Sequence, residues 1–242
     1  MILGILQTGH APHEVVAKDG TYTDLFRAML AAGHDPKNPF TLRTYSVVDG
    51  DFPTGPDAVD AWLITGSKHG VYENHSWIAP LETLIRVIAD ARRPLVGICF
   101  GHQIIAQALG GRVEKFAGGW TVGHQTYHIG GADVTLHAWH QDQVLELPPG
   151  ATRLGWSETC ENAVAAYGDH ILTLQPHPEF SGSVIETLIA CRGANVPKDR
   201  LARATAMLGD PVDNAAIARW IADVLRGHAA AGNLPFPTKA VV

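Results

Sequence analysis

The sequence predicts an α/β protein, with a mainly parallel central sheet covered by helices on both faces and an added antiparallel region. Two observations carry this. Short apolar runs alternate with amphipathic stretches through the first hundred residues, and strand–helix–strand order implies parallel pairing with helices on the faces. From Arg112 to Gln175 the pattern changes to segments of period two, as antiparallel strands require. At 242 residues, 46% hydrophobic and 17% charged, the chain can bury a sizeable core. No internal repeat, low-complexity tract or linker interrupts it, so one domain over 1–242 is expected.

The elements follow in order. Residues 2–6 read as a buried strand and 22–32 as a helix closed by Gly33. Residues 42–48 and 61–65 read as two further strands. Between Trp77 and Arg92 the apolar residues Ile78, Leu81, Leu84, Ile85 and Ile88 recur at helical spacing, the stripe of a surface helix. Arg92 and Arg93 suit its C-terminal end, and Pro94 stops it. Residues 95–98 form a buried strand that runs into a helix over 102–109, stopped by Gly110-Gly111. Strands are then expected at 126–129, 133–138 and 163–167, the last joined to 171–174 through a turn at Gly168-Asp169. Beyond Phe180 the chain returns to helix, where Ile217, Trp220, Ile221, Val224 and Leu225 make an apolar face.

Composition narrows the function. A formal charge of −6 provides no basic surface for nucleic acid and no polybasic membrane patch. The apolar N-terminus is too short for a signal peptide or a span and has no basic leader, so a cytoplasmic location is expected. Cys99, Cys160 and Cys191 form neither metal-ligand spacing nor an even-numbered disulfide framework, and a reducing compartment suits them. No Gly-x-Gly-x-x-Gly loop follows the first strand, which argues against a nucleotide or flavin role. Neither metal nor cofactor is expected.

The central motif is Gly97-Ile98-Cys99-Phe100-Gly101-His102-Gln103. A nucleophile on a sharp strand-to-helix turn needs small residues two before and two after it, and Gly97 and Gly101 supply them. Cys99 then sits at a helix N-terminus, where the dipole favours a thiolate, and the Phe100 amide is placed to meet a developing oxyanion. A thiol nucleophile needs a base, and the base needs a group to hold its tautomer. His177, one of thirteen histidines, lies just beyond an apolar strand in Gln175-Pro176-His177-Pro178-Glu179, with Glu179 close enough to accept its outer proton. A second oxyanion donor is expected where the strand ending at Thr65 breaks into a flexible-looking turn, Gly66-Ser67-Lys68-His69-Gly70.

Together these motifs resemble the class I (triad-type) glutamine amidotransferases. Within them the chain is most similar to the stand-alone, GMP-synthase-like group that also contains γ-glutamyl peptidases. The resemblance runs to about Val184 and includes Val71-Tyr72, Gly118-Gly119-Trp120 and Trp139-His140-Gln141-Asp142. It implies a flavodoxin-like three-layer fold and hydrolysis of the glutamine side-chain amide through a γ-glutamyl thioester. By position, Cys99 is the implied nucleophile, His177 the general base and acid, and Glu179 its orienter. Amides near Gly66-Ser67 and of Phe100 would hold the oxyanion, Gln103 would help bind the glutamyl portion, and His102 would be structural. Where many members have Gly-Gly-Pro or Gly-Ser-Pro this chain has Gly66-Ser67-Lys68, which leaves the donor amide open by one residue. Pro176 replaces an aromatic residue. No synthetase domain follows, so three readings stand: a glutaminase subunit serving a separate synthetase, a self-sufficient γ-glutamyl hydrolase, and a non-catalytic interaction module of the same fold.

Overall fold

The computed structural model of the chain describes residues 1–33 and 35–236. In chain order the strands begin with β1 (Ile2–Leu6), β2 (Thr41–Tyr45), β3 (Ala61–Ile64), β4 (Leu95–Ile98), β5 (Arg112–Lys115) and β6 (Thr121–Ile129). They continue as β7 (Ala132–His140), β8 (Asp142–Glu146), β9 (Ala151–Ser157), β10 (Cys160–Tyr167) and β11 (Ile171–Leu174). The helices are α1 (His13–Asp19), α2 (Tyr22–Ala31), α3 (Ile78–Asp90), α4 (Phe100–Ala108), α5 (Gly182–Arg192), α6 (Lys198–Ala206) and α7 (Asn214–Leu225).

Nine strands form one sheet in the order β2-β1-β3-β4-β11-β10-β9-β6-β7. The first five run parallel to one another and the pairings from β11–β10 onward are antiparallel, while β5 and β8 make a separate antiparallel ribbon. The inner parallel strands β3, β4 and β11 are buried along their whole length because both of their faces are covered, whereas the edge strand β2 keeps polar, part-exposed residues. On β3, Ala61 and Leu63 enter one core cluster while Trp62 and Ile64 enter the other, as the period of two requires. The first cluster takes Phe26 and Met29 of α2 with Ile217 and Ile221 of α7. The second takes Leu81, Ile85 and Ile88 of α3 with Ile104 and Ile105 of α4. Each such side chain contributes roughly 1.5–3 kcal/mol by leaving water. Helix α2 starts at a capping box, in which Thr21 accepts from the Asp24 N–H and the Asp24 carboxylate accepts from the Thr21 N–H. The result is the three-layer, flavodoxin-like arrangement with an antiparallel extension.

Several boundaries differ from expectation. Strand β2 stops at Tyr45, and Val47–Asp49 coil into a 3₁₀ turn. Gly33 does not cap α2 in a left-handed conformation. It lets α7 approach, since a Cβ there would stand 2.7 Å from Ala222 Cβ. Helix α4 begins at Phe100, two residues before its expected start. Period-two reading found only parts of β6 and β7, which pair over nine residues each, from Thr121 opposite His140 to Ile129 opposite Ala132. It missed α1, β5, β8, β9 and α6. Of these, α6 buries only Ala204, too thin a stripe to announce a helix. Among the described residues no helix is long and apolar enough to cross a membrane.

The sheet order gathers the carboxyl ends of β1, β3, β4 and β11 along one edge, and the segments leaving them carry Thr8, Gly66, Cys99 and His177. Ligands of parallel α/β sheets bind at that edge.

Candidate active site

Cys99 joins β4 directly to α4, with φ 53° and ψ −103°, a left-handed φ for a residue that carries a Cβ. Its N–H donates to Leu174 O of β11 at 2.8 Å. The glycines on either side are required by contact. A Cβ on Gly97 would stand 2.5 Å from Gly101 O, and one on Gly101 would stand 2.4 Å from Ile64 O. The turn therefore packs backbone against backbone and holds the thiol at the start of α4, where the first N–H groups lack partners within the helix.

His177 leaves β11 and is held by β7, its N–H donating to His137 O at 2.9 Å. Its Nδ1 is 2.8 Å from Glu179 Oε1, and both side chains are almost wholly buried. The Phe180 ring stacks on the imidazole at 4.0 Å and 2° between planes. Burial alone would depress the imidazole pKa, but the charges of Glu179 and Cys99, together with the hydrogen bond to Glu179, outweigh it and hold the pKa up at about 10. Nε2, turned from Glu179, is left for the Cys99 side. Thiol, imidazole and carboxylate thus stand in series, an arrangement capable of moving a proton between a sulfur nucleophile and a substrate.

The turn after β3 lies against this series. A Cβ on Gly66 would stand 3.1 Å from His177 Cε1 and 3.8 Å from Cys99 Cβ. The Thr65 and Gly66 carbonyls both accept from Thr8 Oγ1, at 3.0 and 3.1 Å. Since N–H and C=O of a trans peptide point oppositely, the Gly66 and Ser67 N–H groups are directed away from Thr8. Ser67 Oγ donates to Thr8 O at 2.7 Å and accepts from the His69 N–H at 3.2 Å. The sequence suggested a flexible turn here; side-chain hydrogen bonds instead tie it to the end of β1.

A cavity of about 500 Å³ opens beside Cys99 and His177. Ser67, Lys68, Gln103, Lys115, His140 and Arg192 line it together with the aromatic groups of Tyr22, Trp120 and Trp139. Cys191, which no sequence motif places in the site, is there too, its thiol pKa raised chiefly by burial. Cys160 is buried in the core with its pKa pushed up to about 12.

The matched stretch decides the family. Residues 57–191, more than half of the chain and including Cys99, His177 and Glu179, match the family model of glutamine amidotransferase class-I.

The chain belongs to the class-I glutamine amidotransferase family.

Its relatives include gamma-glutamyl peptidase 3 of Arabidopsis thaliana, 31% identical over 70% of this chain and 74% of that one. Gamma-glutamyl peptidase 5 of the same plant is 32% identical over 60% of this chain and 64% of that one. A solved glutamine amido transferase from Methylobacillus flagellatus shares the fold, with a TM-score of 0.70 over 94% of this chain and 92% of that chain at 19% identity.

In this amidotransferase-family chain the remaining expected site residues are placed unevenly. Phe100 is buried with its ring 5.6 Å from that of Trp77, and its N–H is the first of α4. Gln103 lines the cavity, but its Nε2 already donates to Asp142 O at 2.8 Å and Gln175 Oε1 at 3.0 Å. Only its carbonyl oxygen remains for a ligand, so much of its work is to fix the Asp142 backbone. His102 bonds Thr173 Oγ1 at 2.7 Å in the sheet, and burial lowers its pKa to about 4. His140 is buried beside the cavity with no hydrogen bond on either ring nitrogen among the described residues, its pKa lowered to about 3 first by burial and then by the His177 charge. Tyr22 and Arg192 escaped the sequence reading, because only the folded chain brings such distant segments to one rim.

Proposed function

We propose that the chain hydrolyses a γ-glutamyl side-chain amide through a cysteine thioester, as an amidotransferase-type glutaminase. The observation that carries this reading is the buried His177–Glu179 pair set against a nucleophile turn at Cys99. The Cys99 thiolate attacks the amide carbon, and the carbonyl electrons move to oxygen. The oxyanion is met by the Phe100 N–H and by the Gly66 or Ser67 N–H. His177, cationic in the resting pair, gives its proton to the departing nitrogen as the C–N bond breaks, releasing ammonia or an amine and leaving the thioester. Neutral His177 then takes a proton from water as the hydroxyl oxygen attacks. Collapse of that second intermediate breaks the C–S bond and restores the thiolate and imidazolium. Glu179 holds the imidazole tautomer throughout.

A separate synthetase would receive the ammonia, and the reducing cytoplasm would keep the thiols free. A second reading, a self-sufficient γ-glutamyl peptide hydrolase, is favoured by two features. The cavity is roomy and carries Lys68, Lys115 and Arg192, which suit a carboxylate on the leaving amine, and the turn at Gly66 is already tied in place. One experiment tests the chemistry and separates the readings: purified chain and its Cys99→Ala variant are assayed on glutamine and a panel of γ-glutamyl dipeptides. Turnover of either class that vanishes in the variant is expected. Preference for dipeptides establishes the hydrolase, and activity surviving in Cys99→Ala overturns the mechanism.

A further inference from the structure

Beside the cavity, the turn between β3 and α3 brings together a group of side chains that amide hydrolysis does not use. We propose that His69, Glu73 and His75 form a binding site for a divalent transition-metal ion of the zinc class. One ligand atom from each residue lies within 4.8 Å of the others. His69 Nδ1 is 3.2 Å from Glu73 Oε2, and His75 Nε2 is 2.6 Å from the same oxygen. Ligands about 2.0–2.2 Å from a tetrahedral ion stand roughly 3.3–3.5 Å apart, so the first spacing fits already and the second must widen by under about 1 Å. Two imidazoles and a carboxylate are donors that zinc takes, and three protein ligands leave a fourth position for water or a ligand carboxylate.

The rings are held before any ion arrives. His75 stacks on Trp77 at 5.8 Å and 9°, and His69 meets both rings edge-on, at 4.2 Å from His75 and 5.9 Å from Trp77. Trp77 is itself buried and packs on Phe100. Ligands fixed by packing lose little freedom on binding, which is what separates a built site from a surface cluster. His69 and Glu73 also line the cavity that holds Cys99. An ion there would brace the turn between its first and last histidines, one hydrogen bond from Ser67.

The test uses the full chain carrying Cys99→Ala, which removes a competing thiolate, after treatment with a chelator. Zinc chloride is titrated calorimetrically, and cobalt chloride is followed by absorption. We expect one ion per chain, a cobalt spectrum without a thiolate charge-transfer band, and affinity lowered at least about tenfold by each of His69→Ala, Glu73→Gln and His75→Ala. The three side chains are part-exposed, and circular dichroism checks that each variant folds. Absence of binding, equal affinity in all three folded variants, or a thiolate band that places the ion on Cys160 or Cys191 overturns the proposal.

Discussion

At Cys99 backbone strain coincides with the proposed chemistry. A left-handed φ at a residue with a Cβ costs of order 1–3 kcal/mol and persists only where the surroundings over-determine it. Here the hydrogen bond to Leu174 and the close glycine contacts do so. His177 shows the complementary effect, a buried base whose neighbours favour its charged form. Its pKa rises on folding from an ordinary 6.5 to about 10, so its charge stabilises the fold fully below about pH 6.5 and loses that effect as pH rises through about 10. The melting-temperature gap between the wild type and His177→Ala is therefore expected to shrink from pH 6.5 to 10. A gap that widens over this range contradicts the ion-pair description. The Cys99 and His177 motifs were legible because each sits within a few residues of its own punctuation. His69, Glu73 and His75 follow a His-x-x-x-Glu-x-His spacing that a cysteine-based search for ligands does not notice, and their convergence depends on the path of the turn.

Among the elements, the β4–α4 turn shows why helix ends are hard to read. Apolar spacing places the helix start at His102, whereas the glycine contacts let coiling begin at Phe100, which frees the Phe100 amide at the very first position. Gly101→Ala tests this packing, because its Cβ would stand 2.4 Å from Ile64 O and backbone cannot swing aside as a side chain does. We expect a loss of about 1–3 kcal/mol of stability with a fall in turnover per folded molecule, read by urea denaturation and active-site titration. An unchanged midpoint and rate would show that the turn relaxes freely. The nine-residue pairing of β6 with β7 was only half seen because polar residues such as His124 and Gln125 interrupt the apolar count, while the backbone ladder continues regardless.

Across the whole molecule, the two faces of the parallel sheet carry separate core clusters, and Trp62 is the largest wholly buried side chain. It packs on Tyr45 and gives its indole N–H to Pro56 O. Trp62→Ala is expected to cost about 3–5 kcal/mol, seen as a lower denaturant midpoint at unchanged slope, because the surrounding sheet cannot collapse into the void. A loss below about 1 kcal/mol would mean that the core refills. By itself the sequence determined the α/β class, the switch to antiparallel pairing after Arg112 and the presence of a glycine-flanked cysteine turn with a His-Pro-Glu downstream. These rest on side-chain periods and backbone requirements that act within a few residues. Only the tertiary structure decided the strand order, the tie from Thr8 to Gly66, the engagement of Gln103 with Asp142 and Gln175, and the cavity wall of Tyr22, Trp139 and Arg192. Each of these joins segments distant in the chain, and such meetings are set by how whole strands and helices bury their faces, which no local pattern encodes.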